Sequence, residues 1–372
     1  MSAPVVIACP YLPLATPITF AGWWIGPLTA FEGPWRDRGL ENRARRFLGA
    51  FRLATGAITR PTLIARVVTG VDGVPPTREE IGALETTIAF AAIHTNPYWD
   101  ASTTSMLGHS IVTADNADLW VQPLAENGGI ALERGFRRRT LSGGHSVFDD
   151  AFIVPSPVEV DLPLQSVRLD EDLVDAMYAV LSEASEPGGL NRRVAVAAHW
   201  LTKTWKNTPS LTEHDRVVDL KTAIEALAGT SDRVEVGEAI VSLFRSAVTQ
   251  EGAGAGVDEL AWSPSEQMVV RTWTNKSGQS RSEPVTAIEH WLHKLADVRN
   301  GIVHEGASPD LTYEAEGSQY TGPMLEVGDR VVREAITVAI GACGHPRVWR
   351  RGLSRARFDA LRRLDQMSDD SD

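Results

Sequence analysis

The sequence predicts an α+β protein, with a β-rich, mixed N-terminal domain followed by an all-α helical bundle. Two observations carry this expectation. Up to about residue 165 short β-type runs alternate with turns, and most of the 21 prolines lie there. From Val167 onward apolar residues recur at i, i+3, i+4 and i+7, the period of amphipathic helices. At 372 residues the chain is long enough for two domains, each with its own core.

In the first domain, residues 1–165, strand-like pieces fall at 5–9 and 18–25. A helix is expected at 40–53, a strand at 62–71 and a second helix at 77–94. Further strands are expected at 110–113, 119–123, 129–133 and 151–154. The second domain, residues 166–345, opens with two stripes, Leu173, Val174, Met177, Tyr178 and Leu181, then Leu190, Val194, Ala197, Leu201 and Trp205. Thr212 caps a third helix that Gly229 stops, and Val236, Ile240, Leu243, Phe244 and Ala247 mark a fourth. An insertion at 251–283 begins with Glu251-Gly-Ala-Gly-Ala-Gly256. The next helix is expected to begin at Pro284, a residue favoured at the first helical position. A final helix carries Val331, Val332, Ala335, Ile336 and Ala339, and an Arg-rich tail spans 346–372.

The net charge of −12 argues against a general nucleic-acid coat protein, but it leaves room for a small basic site. Arginines cluster at Arg36, Arg38, Arg43, Arg45, Arg46 and Arg52, and again in the tail, where Arg350 and Arg351 are candidate phosphate contacts. Solvated helix faces are the ordinary use of such runs. Cys9 and Cys343 are the only cysteines, so neither a disulfide framework nor a cysteine zinc cluster is expected. No apolar stretch is long enough to span a membrane, and the first ten residues lack the pattern of a signal peptide. A reduced, cytoplasmic protein with no membrane partner is the expectation.

One constellation is suited to chemistry: Arg299-Asn-Gly-Ile-Val-His304, at the end of a helix whose stripe is Ile288, Trp291, Leu292, Leu295, Val298 and Ile302. Arginine is a permanent forked cation matched to phosphate oxygens, and histidine exchanges a proton near neutrality. Arg299 falls about 20° from Ile288 on the helical wheel, inside the stripe. On an unbroken helix His304 points about 140° away from it. Converging the two requires the helix to end or loosen, for which Asn300-Gly301 is the place, or the partner groups come from a second copy of the chain. Burial of Arg299 against an acid such as Glu225, holding two helices in register, is the competing structural role.

The segment Leu295-Ala-Asp-Val-Arg-Asn-Gly-Ile-Val-His-Glu-Gly306 resembles the signature of HEPN domains, especially the ApeA-like group of prokaryotic defence proteins. Arg299, Asn300 and His304 match its positions, and Val218 to Ala228 resembles the earlier family helix, with Glu225 at its acidic place. The resemblance covers the C-terminal half. It implies a HEPN helical bundle and an endoribonuclease that needs no metal or other cofactor. Arg299, His304 and Asn300 would be catalytic, with Glu225 in support. It also implies an RNA substrate, a homodimer through this domain, and an N-terminal domain that senses a protein or small-molecule trigger in antiviral defence or toxin-type growth arrest. Lys221 and Lys294 are further candidate RNA contacts, although solvated helix positions are the default for both. The alternatives are a non-catalytic HEPN module that binds RNA or a partner protein, and a metal-dependent hydrolase built on His290 and His293.

Overall fold

The computed structural model describes residues 5–30, 45, 47–49, 51–53, 56–58, 60–66, 76–95, 112–123, 133–134, 167–206, 211–250, 268–274, 277–306, 311–313 and 322–345. The architecture is mixed α+β. The chain divides into two compact units, Met1–Ser182 with Trp205–Thr208, and Glu183–Thr204 with Pro209–Asp372.

The first unit contains β1 (Val5–Cys9), β2 (Ile18–Phe20), β3 (Trp23–Pro27), β4 (Arg52–Leu53), β5 (Gly56–Ala57), β6 (Thr62–Arg66), α1 (Arg78–Thr95), β7 (Trp120–Pro123), β8 (Glu133–Arg134) and α2 (Glu171–Ser182). Six strands form one antiparallel sheet in the order β2-β3-β6-β1-β7-β8, and β4 pairs β5 separately. The single run expected at 18–25 is two strands. Ala21 and Gly22 have φ of 43° and 79°, so the chain reverses there in a two-residue hairpin turn that needs left-handed backbone. Ile25, Ile64 and Ile7 sit side by side across three strands, all buried. Such cross-strand branched pairs are what hold a sheet in register. Thr62 is buried with them; its hydroxyl donates to the Leu12 carbonyl at 2.5 Å and accepts from the Leu14 amide at 3.3 Å.

Three expectations for this unit need correction. The expected boundary at 165/166 precedes α2, yet α2 belongs to the first unit. Its stripe, Leu173, Val174, Met177 and Tyr178, is buried, and α2 packs on α1 and β2. The Tyr178 hydroxyl accepts a 2.8 Å hydrogen bond from the Trp23 indole, and its ring meets Phe20 edge-on. The helix expected at 40–53 stops short, because Arg52–Leu53 is β4. Val112 and Thr113 are not strand: the Asn116 side chain accepts from the Thr113 amide at 2.8 Å and closes a 3₁₀ turn at Ala114–Ala117. A short amide side chain that captures its own backbone competes with a ladder in this way. The expected strand residues 67–71, 110–111, 129–132 and 151–154, and the arginines from Arg36 to Arg43 and Arg46, lie outside the described residues.

The second unit contains α3 (Leu190–Thr204), α4 (Glu213–Ala228), α5 (Arg233–Gln250), β9 (Met268–Thr274), β10 (Ser280–Thr286), α6 (Ala287–Asn300), β11 (Thr312–Tyr313), β12 (Gly322–Pro323) and α7 (Met324–Ala342). Helix α4 has the expected punctuation. The Thr212 hydroxyl accepts from the Asp215 amide at 3.2 Å, the Asp215 carboxylate accepts from the Thr212 amide at 2.9 Å, and Gly229 ends the helix at φ 77°. α3 lies on α4, α7 packs against α3, α4 and α5, and α6 packs against α4 and α5.

This unit is not all-α. Residues 268–274 and 280–286, of and beside the expected insertion, pair as antiparallel strands in full register, from Met268↔Thr286 to Thr274↔Ser280. Pro284 sits in β10 opposite Val270, so it does not start the helix. The start is a capping box at Thr286, whose hydroxyl accepts from the Glu289 amide at 3.2 Å while Glu289 Oε2 accepts from the Thr286 amide at 2.8 Å. That box satisfies two amides that a proline start leaves open. Residues 251–267 lie outside the described set.

Trp291 of α6 is the largest fully buried side chain among the described residues, and it lies over Gly328 of α7. A Cβ at 328 would stand 2.7 Å from Trp291 Cζ2 and 2.9 Å from Leu220 Cδ1. Gly328→Ala is therefore expected to destabilise the protein by ~1–3 kcal/mol through overpacking, even though alanine is the better helix former. A chemical denaturation midpoint equal to or above that of wild type would show that α4, α6 and α7 are not packed this closely.

Candidate active site

Helix α6 presents two faces. Ile288, Trp291, Leu292, Leu295 and Val298 are buried against the bundle. His293, Asp297 and Asn300 recur at i, i+4 and i+7, which gives a polar stripe along another side. At its C-terminus the helix does not stop at Asn300-Gly301. Gly301 keeps right-handed helical angles, φ −58° and ψ −45°, and the chain widens into a π-turn at Gly301–Glu305. Gly306 ends it with φ 62°.

The π-turn supplies the loosening that the spacing requires. Its i→i+5 pattern brings residues five apart to about one turn's separation. Arg299 Nη1 lies 3.3 Å from His304 Nε2 and donates to Asn300 Oδ1 at 3.2 Å. Arg299 is half-buried, while Asn300 and His304 are exposed. Arginine has no acceptor, so the Nε2 facing it presents its lone pair and the proton of the neutral ring sits on Nδ1. The three residues singled out from the sequence thus meet within one turn of chain, beside solvent.

The supporting residues are placed differently. The Glu225 carboxylate is paired with Lys221 one turn earlier on α4, and not with Arg299. Lys221 is itself buried, its amine taken by that pair, so it is not an accessible phosphate contact. Lys294 is exposed on α6. Arg350 and Arg351 lie outside the described residues.

A second cluster, which sequence reasoning missed, occupies the same polar stripe further back. Arg233, at the start of α5, grips both Asp297 oxygens at 2.8 and 2.9 Å. It also donates to the His293 ring through Nε and to the His293 carbonyl at 2.8 Å. Arg271 of β9 reaches the other ring nitrogen of His293 at 3.1 Å and Glu283 at 3.2 Å. Its guanidinium also lies 4.8 Å from the Trp273 ring centroid. The available signal was the 293, 297, 300 spacing; the arginines come from two other elements, and only the fold brings them in.

Burial, then Arg233 and Arg271, push the His293 imidazole down from 6.5 to about 4, so it is neutral near pH 7. Unfolded, the ring takes its proton at the higher value, so the stabilisation tied to its neutral form is full above about pH 6.5 and is lost toward pH 4. The fall in thermal midpoint between neutral and mildly acidic pH is expected to be smaller in His293→Gln than in wild type. Equal falls would mean that His293 is not held neutral. With both ring nitrogens against arginines, His293 is poorly placed as a metal ligand beside His290. Among the described residues, no group of three or more His, Cys, Asp or Glu side chains could hold a metal ion. None of the described helices is long and apolar enough to cross a membrane.

The chain matches no protein-family model, no curated protein and no solved structure.

Proposed function

We propose that the second unit is a HEPN-type endoribonuclease that cleaves RNA by attack of a ribose 2′-hydroxyl on the adjacent phosphorus. The observation that carries this reading is the 3.3 Å approach of the Arg299 guanidinium to the ring of exposed His304, with Asn300 on the same guanidinium. A cation for phosphate oxygens and a group for proton transfer stand together, so side chains supply both functions the reaction needs. The substrate phosphate takes the Arg299 N–H that faces Nε2, which uncovers the Nε2 lone pair. His304 then accepts the 2′-hydroxyl proton as the O2′–P bond forms. The P–O5′ bond breaks, and the 5′-oxygen takes a proton from an imidazolium, a role assigned to His304 of a second copy of the chain. The products carry a 2′,3′-cyclic phosphate and a 5′-hydroxyl.

On this reading the protein is a homodimer through its helical unit. The β-rich first unit senses a trigger, in antiviral defence or growth arrest in the cytoplasm. The test is incubation of mixed cellular RNA and tRNA with the full chain in EDTA, followed by analysis of the product ends. Cyclic phosphate ends that vanish in Arg299→Ala/His304→Ala support the assignment, and equal cleavage by the double variant sinks it. RNA bound but left intact by wild type would replace the nuclease with a binding module.

A further inference from the structure

The β9–β10 hairpin has two unlike faces. Met268, Val270, Thr272 and Thr274 are exposed, whereas Val269 is buried and Arg271 and Trp273 are half-buried. Across the ladder, Arg281 lies directly opposite Trp273, and Glu283 opposite Arg271, so all four side chains share one face. Arg281 is exposed and has no ion pair among the described residues. The result is a half-exposed indole with one guanidinium stacked on it and, beside it, a second cation with no ion pair among the described residues.

A series of contacts runs from this face to Asp297 of α6, one helical turn before Asn300. β10 runs directly into α6 at Thr286. Arg271, stacked on Trp273, meets His293; His293 meets Arg233; Arg233 grips Asp297. One turn further along the same stripe of α6 stands Asn300, on the guanidinium that faces His304. The hairpin's inner face and the polar stripe of α6 therefore form one surface, with the Arg299–His304 pair at one end and the Trp273–Arg281 pair at the other.

We infer that this surface is a binding track for single-stranded RNA, with Trp273 as a stacking platform for a base and Arg281 as a phosphate contact. The inference rests on the reading of the second unit as an RNA-cleaving domain. A base stacks on an indole only when it is not held in a duplex, and a cation beside the ring suits the backbone that carries the base. The overall charge of −12 repels nucleic acid, so a local site must gather its own cations; on this surface Arg233 and Arg271 are paired with Asp297 and Glu283, which leaves Arg281 and Arg299 for phosphate. Arg271 acts as a positioning residue: paired with Glu283, it lies over the half-exposed indole and supports it.

The test is fluorescence anisotropy of the full-length protein with a fluorescein-labelled, 2′-O-methylated single strand of mixed sequence. This probe lacks the attacking hydroxyl and cannot be cut. Trp273→Ala and Arg281→Ala are each expected to weaken binding, the former by about tenfold or more, while Trp273→Phe stays within a few-fold of wild type. Binding of the same sequence as a duplex should be weak and indifferent to Trp273→Ala. Arg281 is exposed, so Arg281→Ala separates loss of contact from loss of fold. No wild-type binding at micromolar protein, or unchanged affinity in both alanine variants, would overturn the track, as would an equal loss on the duplex. None of those results touches the nuclease reading, which stands or falls on cleavage by the Arg299 and His304 variants.

Discussion

His304→Ala is expected to lower RNA cleavage by about 10²–10⁴-fold, the usual contribution of a positioned acid–base group. Arg299→Ala is expected to cost about 10²–10³-fold, as when a preorganised donor to a developing charge is removed. The two should differ in kind as well as size. Loss of the histidine removes the proton acceptor and should leave RNA affinity near that of wild type. Loss of the arginine weakens the hold on phosphate as well, and Arg299→Lys should restore charge without the two-pronged geometry and recover only part of the rate. His304 is exposed and Arg299 only half-buried, both in the last turns of the helix, so near-native thermal midpoints are expected for both alanine variants. Full activity in either correctly folded variant would remove that residue from the site.

What the sequence disclosed about this site was its membership, and what it withheld was its geometry. Arg299, Asn300 and His304 were legible because they are neighbours, and their meeting depends on one local event. The wheel showed that event to be necessary, since about 140° separates the two side chains on a regular helix. It did not show the form taken, a π-turn running through Gly301 with no break after Asn300. The Arg233–His293–Asp297–Arg271 cluster stayed hidden for the opposite reason: its members lie 60 and 64 residues apart from α5 to α6, and no local pattern encodes such pairings. Glu225 illustrates a third limit. Its acidic place on an apolar frame was visible, but Lys221 stands at i−4 on the same helix, and an intrahelical pair formed where an interhelical one was considered.

The fold shows the same division. Helices with long apolar stripes were readable, and α3, α4, α5 and α7 stand where the period placed them, because a stripe needs only one buried side to announce itself. The β9–β10 hairpin was missed because neither face is strongly apolar: β10 reads Ser-Arg-Ser-Glu-Pro-Val-Thr, and its strand character comes from pairing with β9. The proline in β10 also carried a helix-start signal, which the Thr286-x-x-Glu289 box two residues later overrides. Helix α2 was assigned to the wrong unit for a similar reason. An amphipathic stripe tells that a partner exists, and the partner here is the sheet edge carrying Phe20 and Trp23.

The register of the π-turn makes a second prediction of large effect, which tests the geometry without altering either functional side chain. Inserting one alanine between Val303 and His304 separates the histidine from Arg299 by six residues and swings it about 100° further around the axis. Cleavage is then expected to fall as far as in His304→Ala. Deleting Val303 has the opposite logic. The histidine moves to i+4 from Arg299, and an ordinary α-helix sets residues four apart on one face. The turn can close as regular helix while the guanidinium and imidazole stay within reach. Val303 is 47% exposed, so its removal sacrifices little buried surface. The shortened chain should therefore keep a measurable share of its activity while the lengthened chain loses it, an asymmetry that simple disruption of the helix end would not produce. If both variants are equally inactive with the bundle intact, or if the insertion is tolerated, the Arg299–His304 contact is not what sets the histidine for reaction. In that case Arg299 would hold RNA, and His304 would be a surface residue beside it.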